Sequence, residues 1–456
     1  MRGGGGGGGN GGRAAGALPA SWLAQGVPLS ARRGVRYGVE QAAGGPCGPL
    51  AALNAQVIKR LFFGTTPSAR DPPLDARGLL NTAAAPWAAA ENGVPPSGAA
   101  PLDAAPAAAF AALIGGVADA LWHARAGAGA DADAYAPGAR LALPPCAPGA
   151  AWAWKAPVGR SAPRAARAPD GSAVDLPHDG LTECTTIAVM PSRAALVSAL
   201  AAHARTFFSR SGGGLSLLVY SALLTRGLTA VAADAGGDAD AGGDGDSPLV
   251  DARLGYATQP LVSLLLVGRA VPHTVDGDVE CGGTTLRGAP HRADVGFLSV
   301  HAALGLTQVG EHLASPLAPV WVTYGESHYS LIFAAPERAA WPAQRVGKRR
   351  TFGLKIATPV REPSEERDVG EALAAGRAHN LFDVVVWDGL ACQTEIVRVT
   401  VETKRKTKNE NNNTPTSRLD AELSALELWV VSKWGTDSRV CWNDSEPQQP
   451  LSILNK

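Results

Sequence analysis

Residues 41–63 read QAAGGPCGPLAALNAQVIKRLFF. After Gly48, the positions Leu50, Leu53, Val57, Ile58, Leu61 and Phe62 recur with the period of one helical face, which predicts a buried helix with Cys47 at or just before its first turn. Unpaired backbone N–H groups and the positive end of the helix dipole favour a thiolate at such a place. Gly44, Gly45 and Gly48 remove side chains from around the sulfur, so a substrate backbone can come close. Pro46 sets the geometry of the helix start. Gln41, six residues upstream, can place an amide donor beside the sulfur, where the oxyanion of an acyl transfer would form. A lone cysteine at a helix start is most often just a small buried side chain. Gly-Gly-Pro-Cys-Gly behind an upstream Gln makes a nucleophile the better reading.

A thiolate nucleophile needs a base, normally His. Of nine histidines, His123, His178 and His379 lie in low-complexity or polar stretches, and His203, His301 and His312 fall in predicted surface helices. His273 and His291 flank loops. His328 differs, because it opens a strand directly after a glycine turn in GESHYSLIF (325–333). Alternation puts His328, Ser330 and Ile332 on one face and Tyr329, Leu331 and Phe333 on the other. A rigid strand end can hold an imidazole within reach of a helix-start thiol, although a strand-end His can equally be structural. Asp388, ending the strand-like VVVWDGL before Gly389, is the natural third group to orient the imidazole; its other reading is a turn-forming Asp.

Outward from these residues, the chain divides by composition. Residues 1–18 are Gly/Ala-rich and predict disorder, since nothing there repays the entropy of ordering glycine. Residues 19–456 predict one catalytic domain broken by low-complexity insertions at about 66–175 and 232–248 and by a Lys/Asn-rich loop at about 403–416. Within the first insertion, AFAALIGGVADALWHA reads as a docked helix. Later segments predict a strand (TTIAVM), a helix from Ser192 to Phe208, a long apolar helix or pair from Leu215, and another helix over Gln259–Gly268. Phe297–Leu313 predicts one or two short helices, and residues 319–333 two strands turning at Gly325-Glu326. NLFDVVVWDGL and EIVRVTVET predict further strands, followed by a last helix from Ser417 to Trp434 and a polar tail. Helices first and an antiparallel sheet afterwards give an α+β class. The chain order Cys47, His328, Asp388 suits a papain-like cysteine peptidase.

Composition sets the exclusions. The 41 Lys and Arg balance 41 Asp and Glu, so no nucleic-acid or membrane partner is expected. No apolar run suggests a membrane span, and the glycine-rich start has no signal-peptide core. Six scattered cysteines form neither a CxxC pair nor a disulfide framework, which points to a reducing compartment. The acidic loop Asp238–Asp246 lacks calcium-ligand spacing, with Gly242 and Leu249 where ligands should fall. The basic run Lys404, Arg405, Lys406 and Lys408 is too short and interrupted for nucleic acid. No metal and no cofactor are expected.

The ordered segments resemble the MINDY family of deubiquitinases, in the branch of its third and fourth members. SWLAQGVPLS and VRYGVEQAAGGPCGPLAALNAQVIKRLFF are similar to the block before that branch's catalytic helix. LVSLLLVGRAVPHTVDGD, VGFLSVHAALGLTQVGEHLASPLAPVWVTYGESHYSLIF, FDVVVWDGLACQTEIVRVT, LELWVVSKW and VCWNDSEP follow in the order of its later blocks. The resemblance implies a cysteine isopeptidase acting on polyubiquitin, preferentially lysine-48-linked. A monomer in the cytoplasm is expected, with the nucleus left open as a second location. By position, Cys47 matches the nucleophile, His328 the general base and Gln41 the oxyanion-hole residue, while Asp388 carries over as the orienting carboxylate. Two alternatives stay open on the residues alone. One is a catalytically silent ubiquitin-binding scaffold, the other a papain-like peptidase or acyltransferase with a different substrate.

Overall fold

The computed structural model describes residues 18–64, 106–125, 138–155, 164–167, 173–176, 179–236, 248–336, 381–403, 423–435 and 438–442, apart from 33, 151, 153, 252, 326, 391, 392, 394 and 395. Residues 1–17, most of the 66–175 stretch, the acidic loop and the Lys/Asn-rich loop lie outside the described residues.

At the centre is helix α1, Cys47–Ile58, continued by a π-turn over Lys59–Phe63. All twelve residues of α1 are buried, so the sequence pattern of one apolar face understates its position. Against it pack α2 (Pro106–His123) and, later in the chain, α5 (Gln259–Val267), while α3 (Arg193–Ala202) and α4 (Gly214–Arg226) pack on α2, and α6 (Ala425–Trp434) lies on the far side of the sheet. The run read from the sequence as a docked helix is α2, which by length and composition could cross a membrane, contrary to the expectation that no run is apolar enough; here it is a core helix, with Leu113, Ile114, Val117 and Leu121 fully buried. Its Gly116 lies so close to α1 that a Cβ there would sit 2.8 Å from the backbone nitrogen of Val57. The intrahelical glycine, which costs about 1 kcal/mol of helix propensity, is the condition for that approach.

The sheet has six strands: β1 (Gly296–Ser299), β2 (Val320–Gly325), β3 (His328–Ala334), β4 (Leu381–Trp387), β5 (Val397–Glu402) and β6 (Arg439–Trp442). They lie in the order β6-β5-β4-β3-β2-β1, antiparallel throughout except for the parallel β1–β2 pair. Alternation along β3 works as expected. Tyr329, Leu331 and Phe333 join the core around α1, whereas Ile332 and Ala334 join a second cluster with Leu426, Trp429 and Val430 of α6. A capping box between Ser424 and Glu427 starts α6, and the Trp429 indole donates to the Tyr324 carbonyl at 3.0 Å. The mixed helix-and-sheet architecture is α+β.

Several elements depart from the sequence reading. Gly296–Ser299 is a buried edge strand rather than helix, because four consecutive buried residues cannot be told apart by periodicity. Residues 439–442 of the polar tail form the opposite edge strand. Ala139–Leu143, in the Ala/Pro-rich stretch, is a strand paired antiparallel with Thr186–Met190, and Asp278–Cys281 and Thr284–Arg287 form an unforeseen hairpin. The helix from Ser192 breaks at His203, which is buried and not on a surface helix, before a short turn over Ala204–Phe207.

Where α1 passes into the π-turn, Arg60 binds Asp119 of α2 at 2.5 Å and Arg193 of α3 binds the same carboxylate at 2.8 Å. Lys59 binds Asp294 at 2.7 Å. Burial pushes the Asp119 carboxyl up, but Arg60, Lys59 and Arg193 outweigh it and hold it below its usual range. Three helices therefore share one largely buried carboxylate. Replacing Asp119 with Ala strands two guanidinium groups and is expected to cost about 3 kcal/mol in a denaturant titration. Because the folded-state pKa is lowered, the contribution is present above about pH 4 and lost as pH falls further; the stability gap between wild type and Asp119→Asn should narrow there.

Candidate active site

Cys47 is the first residue of α1, behind Pro46 as the N-cap, and is 7% exposed. The three glycines around it do different things. Gly44 faces open space, with nothing within 4 Å of where a Cβ would be. Gly45 has φ of +112°, and a Cβ there would lie 2.8 Å from the Gly255 carbonyl, so this position needs glycine for the turn itself. Gly48 serves packing, with Val262, Ala257 and Tyr329 all against it. Of the three, only Gly44 gives the open approach expected from the sequence.

His328 opens β3 across from the helix start. Its Nε2 lies 2.8 Å from Asp388 Oδ1 and 3.0 Å from the Asp388 carbonyl. Burial pushes the imidazole pKa down, but hydrogen bonds to Asp388 and to the Cys47 sulfur more than compensate and hold it up at about 10. The ring therefore sits between a carboxylate and the sulfur. With Nε2 engaged by Asp388, Nδ1 is the nitrogen left for proton transfer. Tyr324 and Tyr329 pack at a tilt beside this pair with ring centroids 4.6 Å apart, and burial followed by the charge at Cys47 raises the Tyr324 hydroxyl.

Asp388 is 1% exposed. The Ser330 hydroxyl donates to its Oδ1 at 3.2 Å. The Asp388 backbone N–H donates to Gln393 Oε1 at 2.8 Å, and Gln393 Nε2 returns a bond to the Val386 carbonyl at 3.0 Å. One amide thus closes the turn that holds the carboxylate. Behind it, the Trp387 indole donates to the Val39 carbonyl at 3.1 Å. A Cβ on Gly38 would fall 2.2 Å from the Trp387 ring, which is why that position carries none.

Gln41 links the two halves. Its backbone N–H donates to the Gly389 carbonyl at 2.7 Å, tying the cysteine loop to the residue after Asp388. Its side-chain Nε2 donates to the Ala43 carbonyl at 2.9 Å. The second amide hydrogen makes no further hydrogen bond among the described residues. Gln41 and Cys47 line one open pocket, with Asn54 of α1, Tyr329, Ser330 and Asp388 also in its wall. The structure therefore brings all four residues singled out in the sequence to one place.

Comparison with known proteins gives the family. Residues 12–354 match the family model described as "Deubiquitinating enzyme MINDY-3/4, conserved domain". The chain belongs to the MINDY-3/4 family. It is 28% identical over 435 residues to the "Probable ubiquitin carboxyl-terminal hydrolase MINDY-4" of Mus musculus, covering 93% of this chain and 44% of that protein. The human protein of the same description is also 28% identical, over 432 residues, with 93% of this chain and 43% of the relative covered. The "Ubiquitin carboxyl-terminal hydrolase MINDY-3" of Xenopus tropicalis is 38% identical over 143 residues, which are 30% of this chain and 31% of that protein. The chain spans less than half the length of these relatives. No solved structure matches.

Three residues of this MINDY-3/4 site were not singled out by sequence reasoning for what they do. Gln25 is buried and its Oε1 accepts from the backbone of Ala42 and Ala43, while Nε2 donates to the carbonyls of Ser21 and Ala43. It shapes the loop that presents Cys47. Gln393 and Ser330 fix Asp388. The available signal was a polar side chain inside an apolar or strand-like run, which marks a buried group with a dedicated partner. The histidine geometry has a direct consequence. In nitrogen-15 NMR of labelled protein, the His328 ring is expected to stay protonated up to about pH 10 rather than titrating near 6.5. Asp388→Asn and Cys47→Ala should each lower that midpoint; an unchanged midpoint in both would contradict the geometry.

Proposed function

We propose that this chain is a thiol deubiquitinase that hydrolyses isopeptide bonds in polyubiquitin, with lysine-48-linked chains preferred. The observation that carries the reading is His328 held between the Asp388 carboxylate and the Cys47 sulfur, in a chain of the MINDY-3/4 family. An imidazolium paired with a thiolate at a helix N-terminus is the resting state of a cysteine nucleophile. A helix-borne cysteine packed against a sheet whose strands supply the His and Asp also supports a papain-like arrangement.

In this mechanism the Cys47 thiolate attacks the carbonyl carbon of ubiquitin's C-terminal glycine. The free amide hydrogen of Gln41 and the Cys47 backbone N–H stabilise the oxyanion. The C–N bond breaks as the His328 imidazolium gives its proton to the departing lysine amine, leaving a thioester. Neutral His328 then takes a proton from water, which attacks the thioester to release the ubiquitin carboxylate and restore the thiolate–imidazolium pair. Asp388 holds the ring in register throughout. Open space at Gly44 suits close passage of a glycine-ended tail. The same reading makes the protein a monomer working in the cytoplasm and nucleus.

The test is hydrolysis of di-ubiquitins of each linkage by the purified chain. Lysine-48-linked substrate should be cleaved fastest, and Cys47→Ala should abolish cleavage. Gln41→Ala should reduce kcat by about 10²–10³-fold, the usual loss for one oxyanion donor. Binding of chains without turnover over hours would instead identify a silent scaffold.

A further inference from the structure

Asn54 lies on the same side of α1 as Cys47, about two helical turns further along. It is 1% exposed, and neither its Oδ1 nor its Nδ2 has a hydrogen-bond partner among the described residues. Asparagine is a poor residue for a helix interior, and a buried amide left unpaired costs stability. The positions around it, Leu50, Ala51, Leu53, Val57 and Ile58, are filled by apolar side chains. An apolar residue at 54 would suit the helix better, so the amide answers to something outside it.

That something is the pocket shared by Gln41 and Cys47. One wall is α1, with Cys47 and Asn54, and the other is the end of the sheet, with Ser330, Trp387 and Asp388. The space leaves about 10 Å³ for the centre of a water molecule, which is room for one water and too little for a larger ligand. A water so placed needs about two to four polar partners. Asn54 on one side and Ser330 and Asp388 on the other carry donors and acceptors enough.

The charges beside the pocket give such a water its use. Asp388 is 1% exposed, and burial pushes the His328 imidazole toward its neutral form against the pull of Asp388 and Cys47. The other titratable groups around this row, Tyr324 of β2 and Tyr329 of β3, have hydroxyls raised by burial and lend it no charge. A polar group at the inner end of the pocket lowers the cost of keeping the row ionised, and an apolar one raises it.

We propose that Asn54 is a positioning residue that holds one ordered water at the inner end of the pocket, and that this water favours the charged form of His328 between Asp388 and Cys47. The inference rests on the Cys47–His328 pair of the deubiquitinase reading and on no property of ubiquitin.

A high-resolution crystal structure should show a water within hydrogen-bond distance of the Asn54 amide. Asn54→Leu removes the amide and fills the space. Because leucine suits a buried helix, Tm should hold or rise. In nitrogen-15 NMR the His328 midpoint should fall by about one pH unit or more. Turnover of lysine-48-linked di-ubiquitin should lose about tenfold in kcat with KM kept within about twofold. Asn54→Ser, which keeps a polar group on the pocket, should recover most of both losses. If leucine proves too bulky and lowers Tm, Asn54→Ala against Asn54→Ser makes the same comparison without added bulk. No water on the amide, or a His328 midpoint unchanged in both Asn54→Leu and Asn54→Ala, overturns the proposal. A midpoint that falls in a protein that cleaves no ubiquitin supports it and overturns only the catalytic reading.

Discussion

A single buried carboxylate organises the site. Asp388 lies under the end of β4 with almost no access to water, and it keeps His328 oriented toward Cys47. An unpaired charge at that depth would cost several kcal/mol. The protein surrounds it accordingly, with the imidazole, the Ser330 hydroxyl and, through the backbone, Gln393. Orientation of the base is thus bound up with stability of the fold, since the group that positions the ring also has to be neutralised by it. The Gln393 amide extends this to Arg32, whose guanidinium donates to the Gln393 carbonyl at 3.0 Å.

From that point the rest of the architecture reads as support. The sheet brings residues 328 and 388 together because β3 and β4 are antiparallel neighbours, so the start of one strand lies beside the end of the other. Helix α1 packs on the face carrying Tyr329, Leu331 and Phe333, which places its N-terminus at that same end of the sheet. Helix α6 covers the other face. Cys47, Leu50, Ala51 and Asn54 lie at helical spacing along the pocket wall. Neither polar atom of the Asn54 amide has a hydrogen-bond partner among the described residues, although the residue is 1% exposed. Unpartnered buried amides are costly and concentrate where a structure serves something besides stability.

Much of this was legible in the chain itself. Helical periodicity placed Cys47 at a helix start, and alternation in β3 named the two faces of its residues correctly. Gly-Gly-Pro-Cys-Gly marked a turn by a glycine that the turn demands, Gly45, whereas between β2 and β3 the left-handed residue is Ser327, with φ of +70°, and Gly325 belongs to the strand. What failed to show has physical reasons. A fully buried strand such as Gly296–Ser299 carries no alternation, and edge strand β6 is too short to declare itself. Pairing of Ala139–Leu143 with Thr186–Met190 joins residues about fifty positions apart, information that no local window holds. Glycine was read for access at three positions, whereas the structure uses Gly45 for a positive φ and Gly48 for helix packing. Gln25 and Gln393 act through backbone groups, and sequence does not say which carbonyl or N–H a side chain will find.

The most direct measurement is trapping with ubiquitin carrying an electrophile at its C-terminus, followed by peptide mass spectrometry. A poised Cys47–His328 pair should yield one adduct, on Cys47, absent from Cys47→Ala and formed far more slowly by His328→Ala. No adduct, or one carried instead by Cys146, Cys184, Cys281 or Cys441, would contradict the assignment of the nucleophile.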